Sequence, residues 1–277
     1  MSGEYIIEKQ TQIRKFGLNK IYEFTGSGIS LKLDVIEKFT PTLYRSSSMT
    51  LSLDFFRSSI GKKIIMAITG FIWFGFVILH MVGNLQVFQG PEKLNTYAKF
   101  LKDLGPLLWV ARIGLIVAFF GHVCTAILLK FENSSARPVS YAKGSTIQAS
   151  VASRTMAYSG LLLLTFLVYH LAHFTLGITN PEHYSFEYIL KNGDVVHDVY
   201  AMVILGFQDP IISGTYIVFM VFLALHFSHA LGSMFQTLGI LAPKHNPAIQ
   251  KASTGLGLII FLGNCSMPIS ILLGYVR

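Results

Sequence analysis

Five long apolar runs divide this chain, and polar stretches separate them. An apolar run of about 20 residues can cross a hydrocarbon core as a helix. The first covers about Lys63–Phe88, follows Arg57, Lys62 and Lys63, and stops at Gly90-Pro91, with Asn84 and Gln86 polar at its far end. The second covers about Pro106–Lys130, with Arg112 one to two turns inside, where it can snorkel to the near surface. The third is Arg154–Ile178, the fourth about Asp209–Leu238, and the fifth about Gly255–Val276, where Pro268 predicts a kink. The predicted fold class is an all-α integral membrane protein with five transmembrane helices. Residues 1–60 form a polar leader and residues 61–277 the membrane domain.

The leader leaves three readings open. It holds short amphipathic pieces, such as Ile29–Phe39, that lie on a membrane surface or a partner subunit; or it is a disordered tail; or translation starts at Met49. Its first 50 residues are polar and mixed in charge, so no cleavable signal peptide is expected.

Composition agrees with the pattern. The chain is 52% hydrophobic and 13% charged, with a mean hydropathy of +0.54, too apolar for a soluble domain. The net charge of +8 therefore reads as membrane topology, and no basic stretch interleaved with aromatics points to nucleic acid. The two cysteines, Cys124 and Cys265, lie in apolar runs without a CxxC, which leaves a disulfide framework, a zinc site and covalent c-type haem without support. Lys130, Arg137, Lys143 and Arg154 make the 2–3 connection basic, and Lys244 and Lys251 do the same for the 4–5 connection. Glu182, Glu187, Asp194, Asp198 and Asp209 make the 3–4 connection acidic. The positive-inside rule then predicts a cytoplasmic N-terminus and an outer C-terminus, with Lys93, Lys99 and Lys102 of the 1–2 connection running against it.

An imidazole inside hydrocarbon needs a partner. The first four spans each carry one or two, and depth orders them. His80 lies roughly 24 Å from the cytoplasmic end of its span, and so does His170. His122 lies roughly 12 Å from that side and His226 roughly 16 Å. Two imidazoles at one level on different helices are what a six-coordinate haem requires, so two levels predict two haems, stacked within a bundle of the first four spans. Gly70 and Gly160 fall near the inner level, and Gly114 and Gly214 near the outer one. Each helix thus offers a ligand at one level and a missing side chain at the other, where a flat macrocycle can approach the backbone or helices can simply pack.

His173 and His229 follow His170 and His226 by three residues, about 4.5 Å along a helix axis. One helix cannot serve two stacked haems at that spacing. They read as donors behind the ligands, for instance to propionates, or as polar groups facing the bundle interior; depth alone does not choose between His170 and His173. His183, His197 and His245 read as solvated loop residues. Two rival readings of the set are a transporter or channel with histidine relays and a membrane metalloenzyme with a di-metal site.

GFVILHMVGNLQ, FFGHVCTAILLK, SGLLLLTFLVYH and LHFSHALGSMFQTLGI occur in that order, with no histidine on the fifth span. In this the chain resembles the five-helix di-haem cytochrome b membrane anchor of succinate dehydrogenase and fumarate reductase, over about residues 53–277. The resemblance selects His170, eleven residues after Ser159 of the Ser159-Gly160 pair, and His226. It implies His122 and His226 on a proximal haem and His80 and His170 on a distal one, two haems b in all. It implies a flavoprotein and an iron–sulfur subunit on the cytoplasmic face, a quinone, menaquinone by family habit, near the distal haem, and a place in the bacterial cytoplasmic (inner) membrane. The implied function is electron transfer between the iron–sulfur subunit and the quinone, with the dicarboxylate chemistry elsewhere and a higher oligomer of the complex allowed. Asp103 matches an acidic loop position loosely and is a candidate for proton exchange with the quinone, beside the plainer reading of a solvated carboxylate. Some fumarate reductases of the family carry a glutamate two residues before the fourth-span ligand; here Ala224 stands there, which puts that proton route in doubt.

Overall fold

The computed structural model describes residues 54–136, 154–240 and 246–277, together with the backbone of 22–25 and 28–31. The chain divides into two units between Phe56 and Arg57. In the first, β1 (Tyr22–Thr25) and β2 (Gly28–Leu31) form an antiparallel hairpin with Tyr22 opposite Leu31. Ile29–Leu31 therefore lies in a strand, where the sequence suggests an amphipathic piece over Ile29–Phe39. The rest of that piece and Met49 lie outside the described residues, as do Arg137, Lys143, Lys244 and His245.

The second unit holds five helices long and apolar enough to cross a membrane: Ser59–Gln89, Pro106–Ser135, Met156–Thr175, Pro210–Thr237 and Pro247–Leu272. They are spans 1 to 5 below. Local chemistry sets their starts. Ser58 caps span 1, its hydroxyl accepting from the Gly61 amide at 2.9 Å. Pro106 opens span 2 and Pro210 opens span 4, in the first turn, where a missing N–H costs nothing. The Asp209 carboxylate accepts from the Ile211 and Ile212 amides at 2.7 and 3.2 Å. The fifth helix begins at Asn246, nine residues before the expected Gly255, and continues past Pro268 to Leu272. Pro268 lacks the N–H that would bond the Asn264 carbonyl, one turn before that end.

Spans 1 and 2 pack together, spans 4 and 5 pack along each other, and span 4 also receives spans 1 and 3. Span 5, which the histidine pattern leaves outside the bundle, is thus integral to it. Gly257 of span 5 lies against the Ala224 carbonyl of span 4, an approach only glycine allows. A Lys62–Glu132 ion pair ties the start of span 1 to the end of span 2. Large apolar side chains face outward, among them Leu79, Val117 and Ile211, as expected of helices solvated by lipid.

At one end the connections build a cap. Helix Pro91–Asp103 fills the 1–2 connection between Gly90 and Gly105, both at positive φ. The 3–4 connection, acidic in sequence, holds a short turn of helix at Pro181–Tyr184, a hairpin of β3 (Glu187–Ile189) and β4 (Val195–His197), and an apolar helix at Val199–Gln208. The hidden Asn95 side chain donates to Asp198 at 2.8 Å and accepts from the Tyr200 amide at 3.1 Å. Asp198 in turn caps helix Val199–Gln208 through the Ala201 amide. Beneath lies a core of Val87, Leu94, Ile204, Phe207, Tyr216, Met267 and Ile271.

Candidate functional site: two imidazole pairs

The four histidines singled out by depth meet in two pairs. The rings of His80 and His170 are 5.7 Å apart, centre to centre, and cross at 89°. Those of His122 and His226 are 6.4 Å apart and cross at 63°. In each pair the rings come from different helices, spans 1 and 3 or spans 2 and 4.

Glycines set the second pair in place. A Cβ on Gly70 of span 1 would lie 3.1 Å from Cε1 of His122, and one on Gly160 of span 3 would lie 3.8 Å from Cε1 of His226. Both are therefore at the His122/His226 level. Each is ten residues before the histidine of its own span, which separates the two levels by about 15 Å along the helices. Gly114 and Gly214, expected opposite the other pair, behave differently: a Cβ on either would meet nothing within 4 Å among the described residues.

The outer ring nitrogens complete the geometry. His122 Nδ1 lies 3.1 Å from the Met66 carbonyl, a pure acceptor, so this nitrogen carries the proton. His226 Nδ1 is 3.2 Å from the Ser159 hydroxyl and His170 Nδ1 is 3.4 Å from the Tyr216 hydroxyl. In all three rings Nε2 is left for another partner. Anchoring one ring nitrogen and presenting the other is how proteins orient imidazole ligands. His80 differs: its Nε2 is 3.0 Å from the Asn84 amide, one turn on.

These residues fit haem iron by two measures. A metal–nitrogen bond of roughly 2 Å on each side puts two imidazole centres roughly 6 Å apart, as in both pairs. Three of the four rings have a hydrogen-bonding contact on the far nitrogen. The fourth, His80, fits once Asn84 turns away from Nε2. Among the described residues no three of His, Cys, Asp and Glu converge.

The other candidates fall elsewhere. His173 is 1% exposed, with Nδ1 3.1 Å from the Tyr216 hydroxyl and its ring stacked on Phe174 at 3.9 Å. Its Nε2 is buried without a hydrogen-bond partner among the described residues. It joins neither pair. His229 is half-buried, and its ring joins neither pair. Asp103 is exposed and bonds Lys99 at 2.5 Å, at the end of the cap helix. That contact, with Asp194 at 3.4 Å, raises the Lys99 ammonium above its ordinary range. His183 and His197, expected to be solvated, are half-buried, and His197 packs on Tyr184 at 4.5 Å.

Tyr216 is the residue that sequence reasoning passes over. It lies ten residues before His226 on span 4, hence at the His80/His170 level, and the depth arithmetic applied to the histidines would find it. Gln86, Lys93, Thr96, Tyr97 and Phe100 line an open pocket at the capped end. Comparison with protein-family models, with curated proteins and with solved structures gives no match in any of the three.

Proposed function

We propose that this chain is a membrane electron-transfer subunit that holds two b-type haems, one between His122 and His226 and the other between His80 and His170. The observation that carries this reading is the pair of imidazole couples, each at the separation an iron between two rings requires. Haem bound there would supply reversible one-electron chemistry. Two imidazoles per iron leave no position for oxygen, which suits electron transfer. The Met66 carbonyl, the Ser159 hydroxyl and the Tyr216 hydroxyl hold three rings in orientation, and Gly70 and Gly160 keep side chains clear of the inner pair. Ligation by His80 requires Asn84 to release Nε2.

More particularly, we read the chain as the di-haem cytochrome b anchor of a succinate:quinone oxidoreductase in a bacterial cytoplasmic membrane. Its basic connections would face the cytoplasm and the flavoprotein and iron–sulfur partners. The capped end would face outward and meet a quinone, with the pocket at Gln86, Lys93 and Tyr97 as its place of entry. Asp103 is then a surface carboxylate near that entry. The rival reading, a non-haem transporter, draws on one feature: the string of His173, Tyr216 and His170.

A reduced-minus-oxidised visible spectrum of the purified protein, with a pyridine haemochromogen count, separates the two. Two haems b per chain support the proposal, and single His→Ala changes at His80, His122, His170 and His226 then test the pairing. No haem in folded protein removes it. One haem means that one level is not a haem site.

A further inference from the structure

Two histidines three residues apart on span 3 share one partner, Tyr216. Its hydroxyl sits 3.4 Å from His170 Nδ1 and 3.1 Å from His173 Nδ1, in the buried core of the capped end. A phenol has one proton to donate. It therefore donates to at most one of these nitrogens, and the other must bring its own proton to bond the hydroxyl. If Tyr216 donated to His170 Nδ1, the proton of His170 would sit on Nε2 and that nitrogen could not bind a metal. If it accepts from His170 Nδ1–H, its own proton is free for His173 Nδ1, and the proton of His173 then sits on Nε2. His173 Nε2 is enclosed: a Cβ on Gly206 would lie 3.2 Å from it, and Phe174 stacks on the ring. His170, whose ring faces His80, is left with a bare Nε2.

We infer that Tyr216 is a positioning residue for His170, the span 3 ligand of the reading above, and holds the proton of that ring on Nδ1 by accepting from it while donating to His173. The inference rests on the haem reading above. An acceptor behind a ligating imidazole makes the ring more basic and favours the oxidised metal. Removing it raises the reduction potential of that one site.

The test is a redox titration of the purified wild type, Tyr216→Phe and His173→Leu, each with a haem count and a low-temperature electron paramagnetic resonance spectrum of the oxidised state. Tyr216→Phe keeps the aromatic packing and removes the hydroxyl. With two haems per chain retained, it should raise one midpoint by a change of about tenfold in the oxidised-to-reduced preference, about 59 mV for one electron, and move one of two ferric signals. His173→Leu keeps Tyr216 but removes the acceptor of its proton, and should move the same midpoint the same way by less. Tyr216→Phe or His173→Leu chains with both midpoints and both signals unchanged would overturn the inference while leaving the haem proposal standing. So would equal movement of both sites, or loss of haem from His173→Leu with retention in His170→Ala. A wild type without haem overturns both.

Discussion

Span 5 offers a pair of substitutions two residues apart that should have opposite signs. Gly255 is exposed, and a Cβ built on it meets nothing within 4 Å among the described residues. Alanine there should stabilise the helix by roughly 0.5–1 kcal/mol, because glycine loses the most backbone freedom on becoming helical. Gly257 is buried, and its Cβ would lie 2.8 Å from the Ala224 carbonyl oxygen and 3.6 Å from the Ser228 amide. The obstacle is backbone of a packed helix and cannot rotate aside. Spans 4 and 5 would have to separate by several tenths of an ångström along their most extensive contact. Overpacking of this kind costs about 1–3 kcal/mol, which outweighs the same helical gain. Gly255→Ala should therefore be at or above wild type and Gly257→Ala below it, with a gap of roughly 1–3 kcal/mol. The assay is unfolding in mixed micelles of rising denaturing-detergent fraction, followed by far-ultraviolet circular dichroism. Ala224 is two residues from His226, so the displacement should also lower occupancy at the His122/His226 level. A Gly257→Ala chain as stable as Gly255→Ala would refute the idea that backbone contact sets this interface.

Three further outcomes follow from the same geometry. Gly70→Ala presses a methyl to 3.1 Å from the His122 ring, while Gly160→Ala stays at an ordinary 3.8 Å from His226. On the proposed haem reading, the first should weaken haem retention at that level and the second should leave it near wild type, as read by haem count and redox titration. Asn95→Leu removes the donor to Asp198 and leaves the Tyr200 amide unpaired in a buried place. It should cost about 1–3 kcal/mol and speed hydrogen exchange across Val199–Gln208. Burial holds the His197 imidazole below its ordinary value, against the pull of Asp198 and with the help of Lys102. The unfolded chain therefore binds that proton more readily than the folded one. Stability of the β3–β4 hairpin should be constant above about pH 6.5 and fall below it, and His197→Phe should flatten the profile in hydrogen exchange. Rising protection on acidification would contradict this.

The spans and the histidine levels are legible because both depend on one regularity, the 1.5 Å rise of a helix in a slab of fixed thickness. The cap is not, because its elements are too short to announce themselves by hydropathy. Val199–Gln208 is apolar but covers only ten residues, well under a span. Its start is nonetheless written in Asp198, and its end in Asp209-Pro210. The hairpin is written in Asn192-Gly193, a tight-turn dipeptide between two apolar runs, with Gly193 at φ +87°. The sequence pattern enters span 5 late because Lys251 and the polar residues around it hide a helix that has already begun. Partners such as Tyr216, Ser159 and the Met66 carbonyl are contacts between spans, and no single-span pattern reveals which side chain a neighbour presents. Asn84, in sequence only a polar end residue, acquires meaning from one turn of helix and the ring of His80.

Span 3 leaves α-helical geometry just after His170. Leu171–Thr175 is a π-helical turn, with the Leu176 amide bonded to the Leu171 carbonyl five residues back. A π turn accommodates one extra residue, so whatever follows is rotated by roughly 100° from where a plain helix would have put it. Span 3 ends in this turn, and the chain leaves the helix at Leu176. Up to His170 it packs on span 4, with the His170 ring reaching His80 of span 1; beyond it, His173 turns toward Gly206 of the cap. The wider closing turn is where one span passes from the membrane bundle to the cap.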